Sequence, residues 1–519
     1  MQQTTVARRS GRIRFSAAGA ELAGWGIAAA LGLFVTGVVA GVSADLLFTD
    51  GDSVIVPLVV RSIALGQPQD WALSPVLFLP ETLVYGVLAL LGLGMRATLL
   101  LNAMVNLLAL YGALRLVSGR RRVGSAPVAG ALLAFGAFTV LALLEGSATR
   151  DGPQFATMLA TTSYYSATVI ATVAALGLVR RALERPGRRP WPSAAALAGI
   201  AAVSVLSNPL FAVWAIIPVV GMLTVLAGMR RTPAAAAVAL AGGLVVGGVA
   251  GYVARGLFSD TIVADSGNYF RVDQWTHSLA HYGGIVADLA ATPTRAGWLA
   301  GMAALWVLAI VLLRRAWRAG DAALTAVAGI AVAWPPLLTA GAVILGTDAV
   351  RYLQPWMYLP LAALAAAPEV WRPRVPARIR RAGLAAGAIA ALVAGAVAIP
   401  AVASAASRTA RDLDCVLDWV HDSGRTGAGQ FWAVRAPKVN LDDPGRLIQV
   451  DHTLRVYTWL TNRADAVGAE VTFLVQDAST YPFALPPGYS IGDAEEIGCG
   501  RYTIFDFGDR VLPLGPPRN

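Results

Sequence analysis

Residues 22–42 read LAGWGIAAALGLFVTGVVAGV, an unbroken apolar run with the basic segment Arg8–Arg14 before it and Asp45, then Asp50-Gly51-Asp52, after it. About 20 apolar residues suffice for a helix to cross a bilayer core. The run is that long, and it recurs as Ala97–Val117, Ala234–Val253, Leu324–Leu345 and Ala382–Ser404. A cleavable signal sequence carries a shorter apolar region, so the first run is expected to remain as a helix. Composition agrees. Of 519 residues, 56% are hydrophobic and 14% charged, against about 25% charged in soluble domains.

Arginine clusters order these runs: Arg8–Arg14, Arg115–Arg122, Arg180–Arg189, Arg230/Arg231, Arg314–Arg318 and Arg372–Arg381. Short loops rich in Lys and Arg stay cytoplasmic. With all six clusters inside, crossings fall in pairs between them and the last helix exits, giving about eleven crossings by the 20-residue criterion. The expected architecture is an all-α polytopic transmembrane bundle in the cell membrane, residues 1–407, with a cytoplasmic N-terminus. Residues 408–519 then form an extracytoplasmic domain.

The formal net charge of +10 does not point to nucleic acid. Residues 408–519 hold 11 basic and 15 acidic groups, leaving 30 and 16 for the rest. The basic excess therefore sits in short loops between apolar runs, a topology signal rather than a nucleic-acid patch.

Leu73–Leu93 is apolar enough to span, but a crossing there would place Arg120–Arg122 outside. It is expected to be a membrane-embedded or re-entrant helix, in keeping with Pro75, Pro80 and Glu81. Acidic residues collect on the outer side. Asp45, Asp50, Asp52, Asp70, Glu81, Glu145, Asp151, Asp260, Asp265, Asp273, Asp288 and Asp348 lie there, against Glu21, Glu184, Asp321 and Glu369 inside. Acidic groups contribute little to orientation, so this bias suggests chemistry or binding outside.

From Arg408 the pattern becomes that of a small α+β domain. Asp412–His421 reads as a helix, and Gln430–Val434, Leu447–Val450, Glu470–Gln476 and Tyr502–Phe507 as strands. Thr453–Thr461 fits either a helix or a strand. The two cysteines, Cys415 and Cys499, both fall in this part. In an oxidising compartment they are expected to pair.

Four constellations could carry chemistry. Asp50-Gly51-Asp52 offers a general base, or two carboxylates holding a divalent cation such as Mg or Mn against a phosphate. A plain Asp-Gly turn is the competing reading. Arg351-Tyr352 opens a helix on the outer face, and its guanidinium suits a phosphate; an interfacial Arg with a belt Tyr is the alternative. Arg150-Asp151 precedes Thr161-Thr162-Ser163-Tyr164-Tyr165-Ser166 and is a candidate substrate contact or an internal ion pair. The segment with Tyr269, Arg271, Asp273, Trp275, His277, His281 and Tyr282 reads as an amphipathic surface helix. No Walker A, GxSxG, HExxH or Rossmann pattern is present, which disfavours ATP-driven pumps and soluble-type hydrolases.

This layout resembles the GT-C class of membrane glycosyltransferases. Asp50 and Asp52 sit where that class has its acidic motif, in the first outer loop. Phe78-Leu79-Pro80-Glu81 resembles the start of an embedded helix in that loop, and Arg351-Tyr352 an Arg-Tyr element near the donor phosphate. Residues 430–435, 448–450 and 459–462 look like the tail of bacterial membrane proteins with the same layout. Tyr164-Tyr165 departs from the class, which often carries a His near the second loop. The resemblance implies transfer of a sugar from a polyprenyl-phosphate donor to an envelope glycan or lipid acceptor. It assigns Asp50 or Asp52 as base, Arg351 and Tyr352 to the donor phosphate, and membrane lipids as surroundings. A non-catalytic envelope protein with a binding tail, and a lipid or glycan transporter, remain open readings.

Overall fold

In hydrocarbon every backbone N–H and C=O must be satisfied within the segment, so the apolar runs become helices. The computed structural model describes residues 17–120, 127–146, 152–185, 187, 189–263, 271–369 and 376–518. Among these, eight helices are long and apolar enough to cross a membrane. They are Ala17–Val42, Met95–Val117, Pro127–Leu144, Ser166–Leu183, Ala234–Ala254, Pro293–Arg318, Ala322–Ile344 and Ala377–Ser407. Three shorter helices stand where the other expected crossings fall: Trp191–Ser207, Ala212–Gly228 and Pro355–Ala366. The last has 12 residues, a rise of about 18 Å against a core of about 30 Å.

One contact shows how the bundle packs. Helix Ala234–Ala254 carries Gly243, Gly247 and Gly251 at every fourth position. A Cβ on Gly247 would lie 2.1 Å from the Ala198 carbonyl oxygen of helix Trp191–Ser207. Small residues at this spacing let two membrane helices approach backbone to backbone.

The expected embedded element, Leu73–Leu93, is helical over Leu79–Ala89 only. Eleven residues rise about 16 Å and cannot span. The preceding segment is irregular and is tied elsewhere: Arg255 Nη2 donates to Pro75 O at 2.6 Å and Leu77 N to Ser207 O at 2.8 Å. A second short helix, Ile55–Ala64, packs beside it.

The tail begins with helix Arg411–Ser423, after the last long helix ends at Ser407. Trp71–Ala72 of the first loop forms β1. The tail strands are β2 Thr426–Gln430, β3 Leu447–Val450, β4 Arg455–Tyr457, β5 Thr461–Asn462, β6 Val471–Asp477, β7 Glu495–Cys499, β8 Tyr502–Asp506 and β9 Gly515–Arg518. Seven strands form one mixed sheet in the order β7-β8-β6-β2-β3-β4-β9, with β2 parallel to both β3 and β6. The expected strand Gln430–Val434 is corrected: β2 ends at Gln430, and Phe431–Asn440 is a helix crossing to β3. A parallel neighbour requires such a crossover. Cys415 and Cys499 are joined, with Cα atoms 5.5 Å apart, so helix Arg411–Ser423 is clasped to β7.

The tail is docked on the loop that follows the first long helix. β1 pairs antiparallel with β5. Arg463 forms an ion pair with Asp70 at 2.7 Å and donates to Asp260 O at 2.7 Å. Gln67 Nε2 donates to Asp443 Oδ1 at 2.8 Å, and Asn462 Nδ2 to Pro68 O at 2.6 Å.

Candidate functional site

Asp50-Gly51-Asp52 lies where the first loop, the second loop and the tail meet. Asp50 Oδ1 accepts from Asp52 N and Ser53 N, both at 3.1 Å, and from Tyr164 Oη at 3.2 Å. Asp50 therefore holds the turn together, as Asp often does when its side chain bonds the backbone two residues on. The second loop is fastened to the same turn, because Thr162 Oγ1 donates to Ser53 O at 2.8 Å.

Tyr164-Tyr165 is positioned by three devices. Glu145 is buried at the end of Pro127–Leu144 and accepts from Ala156 N at 2.6 Å and Thr157 N at 3.0 Å. It thus caps the short helix Phe155–Ala160 that leads into the Tyr pair. Burial raises the Glu145 pKa to about 8, while these hydrogen bonds oppose the rise. Tyr165 sits at φ 67°, an unusual backbone state for a bulky residue, and its ring stacks on Tyr352 at 6.3 Å. Gln354 is fully buried and donates from Nε2 to both Tyr164 O and Arg351 O at 3.1 Å.

Arg351 and Tyr352 do not open an α-helix. They lie in the 3-10 turn Val350–Leu353, one residue before Gln354 leads into Pro355–Ala366. The Tyr165 phenol raises the Arg351 pKa most; burial opposes, and Asp52, Tyr352 and Tyr164 raise it further. Asp52 and Arg351, about 300 residues apart in sequence, thus stand within electrostatic reach of each other. Arg351 Nε is buried and has no hydrogen-bond partner among the described residues.

Sequence reading missed the second cation. Arg435, on tail helix Phe431–Asn440, is fully buried. Its Nε donates to Gly51 O at 3.1 Å and its Nη1 to Leu460 O, while Nη2 is buried without a partner among the described residues. Burial pushes its pKa down to about 10, with Asp52, Asp50 and Asp465 opposing. Its neighbour Lys438 is also buried and pairs with Asp465 at 2.6 Å.

Gly51 is the seat of this helix. A Cβ there would lie 2.7 Å from Phe431 Cε1 and 2.9 Å from the Trp432 ring. Gly51→Val is expected to cost about 1–3 kcal/mol of docking through overpacking. Faster proteolytic release of an intact tail would register it; a release rate equal to wild type would show that the contact carries no energy.

His277 and His281 lie on one helix, Trp275–Ala290, with separate neighbours. His277 approaches Asp348 at 3.4 Å, as does Arg271 at 3.7 Å, and His281 Nε2 is buried. Arg150 and Asp151 lie outside the described residues. Among the described residues no group of three or more His, Cys, Asp or Glu is placed to hold a metal. Set against known proteins, the chain matches no family model, and no curated protein matches it.

Proposed function

We propose that this protein is a membrane glycosyltransferase of GT-C type, moving a sugar from a polyprenyl-phosphate donor to an envelope glycan or lipid on the outer face. One observation carries the reading. An acidic pair meets two arginines, Arg351 from the bundle and Arg435 from the tail, and each arginine has a buried N–H without a protein partner among the described residues. Such N–H groups are costly unless an anion satisfies them.

In this reading Asp52 takes the proton of the acceptor hydroxyl. The acceptor oxygen bonds the sugar's anomeric carbon from the side opposite the donor phosphate. The carbon–oxygen bond to phosphate breaks, its electron pair stays on the phosphate, and configuration inverts. Arg351 and Arg435 stabilise the charge that develops there, usually the larger contribution. A Mg or Mn ion held by Asp52 and the second Asp50 oxygen would add to that stabilisation. The tail and Asp50 face outward, the Arg-rich loops face the cytoplasm, and the chain crosses about eleven times, which the three shorter helices permit if the bilayer thins locally.

The free polyprenyl phosphate is the product whichever sugar is moved, so its binding tests the site. Arg351→Gln and Arg435→Gln are each expected to weaken decaprenyl phosphate binding about 10–100-fold, the value of a hydrogen bond to a charged group. Unchanged affinity in both variants would refute the phosphate assignment.

A further inference from the structure

At the end of the bundle farthest from the tail, helices Ala212–Gly228, Pro293–Arg318 and Ala322–Ile344 leave a crevice of about 400 Å³. That size is in the range of small-ligand sites. Its position follows from the chain. Pro293–Arg318 starts after the outer helix Trp275–Ala290, whose Ser278 and Tyr282 bond the Thr347–Asp348 segment beside Arg351. The helix then runs 26 residues away, about 39 Å, and the crevice lies on its last turns.

The wall is apolar along Met222, Val225, Leu313 and Val332, and Arg314 and Arg318 stand at the rim. Both arginines are exposed. Arg231 firms one side: its guanidinium lies 3.6 Å over the Trp317 ring and Nη1 donates to Trp317 O at 2.7 Å. Arg230, Arg231, Arg314, Arg315 and Arg318 gather in the two loops beside the crevice, and Asp321 caps the next helix by accepting from Leu324 N at 2.9 Å. A second, independent feature belongs to the same wall. Thr325 lines it at 1% exposure, and its hydroxyl is buried without a hydrogen-bond partner among the described residues.

We propose that this crevice binds an anionic glycerophospholipid of the leaflet opposite the tail. One acyl chain lies along Leu313 and Val332, an ester carbonyl accepts from Thr325, and Arg314 and Arg318 hold the phosphate. An empty apolar crevice in a bilayer would forfeit its dispersion contacts, and basic pockets between membrane helices take anionic headgroups. A zwitterionic lipid supplies the chain and the carbonyl but no net charge for the arginines. The site is separate from the Asp52 region and does not depend on its chemistry.

Native mass spectrometry of the delipidated full chain, titrated with phosphatidylglycerol or phosphatidylcholine of matched chains, tests this. Wild type is expected to prefer phosphatidylglycerol. Each arginine near a membrane surface is worth roughly five-fold in affinity for anionic lipid, so Arg314→Gln with Arg318→Gln should cost roughly 25-fold for that lipid alone. Ala333→Trp, which fills the crevice, should lower retention of both lipids. The arginine pair is exposed and leaves the packing intact, so the test survives if Ala333→Trp misfolds. Equal retention of the two lipids by wild type, or an arginine variant that keeps full preference for phosphatidylglycerol, would overturn the proposal.

Discussion

Asp52→Asn is expected to lower glycosyl transfer by about 10²–10⁴-fold, the usual cost of losing a catalytic base, with little change in thermal stability. The charge of Asp52 acts on Arg351, Arg435 and Tyr457, from three different elements. Asp50 has a different task. Its Oδ1 accepts from two backbone N–H groups and from Tyr164, and the carbonyl oxygen of an asparagine can accept the same bonds. Asp50→Asn should therefore cost much less activity than Asp52→Asn, while Asp50→Ala should loosen the turn. Transfer rates from proteoliposomes, read beside melting curves, separate these outcomes. An Asp52→Asn protein as active as wild type would remove the base and leave the fold with a binding role.

Breaking the Cys415–Cys499 bond is expected to remove about 4–5 kcal/mol from the tail, the chain-entropy value for a closed loop of this size. The two residues are 84 apart in sequence. That is a large part of the stability of a small domain. Helix Arg411–Ser423 packs Val416 and Val420 against Phe473 and Ile504, and Cys499 is buried in the same cluster. Loss of the bond frees this helix and strand β7 together. A Cys415→Ser, Cys499→Ser chain should show a lower tail melting temperature and faster proteolysis within 411–518. Because Arg435 reaches Gly51 only while the tail is folded, transfer should fall with it. Equal melting of the oxidised and reduced proteins would contradict this.

The membrane helices and the cysteine pair were legible because each rests on a strong signal: 20-residue apolar runs in one case, two scarce residues in one domain in the other. The approach of Asp52 to Arg351 has no local sequence signal, since no pattern joins positions so far apart. Residues 430–434, QFWAV, were read as a strand because aromatic and β-branched residues favour one. The parallel placement of β2 and β3 overrides that preference and makes Phe431–Asn440 a crossover. Reading a strand hid Arg435. The signal available was a helical one: Phe431, Val434, Arg435 and Lys438 follow at three- and four-residue steps, and all are buried. A charge on the buried face of an apolar helix calls for a partner, and here Gly51 and Asp465 supply it. The Arg clusters already argued against a crossing at Leu73–Leu93, but the start of its helix at Leu79 was illegible, because apolar composition does not reveal that Phe78 takes φ 52°.

The most direct measurement is a cryo-EM structure of the full chain in lipid nanodiscs loaded with decaprenyl phosphate. Phosphate density is expected between Arg351 and Arg435, beside Asp52, with the tail docked on Gly51. A docked tail with the phosphate elsewhere, or Arg351 turned to lipid far from Asp52, would contradict it.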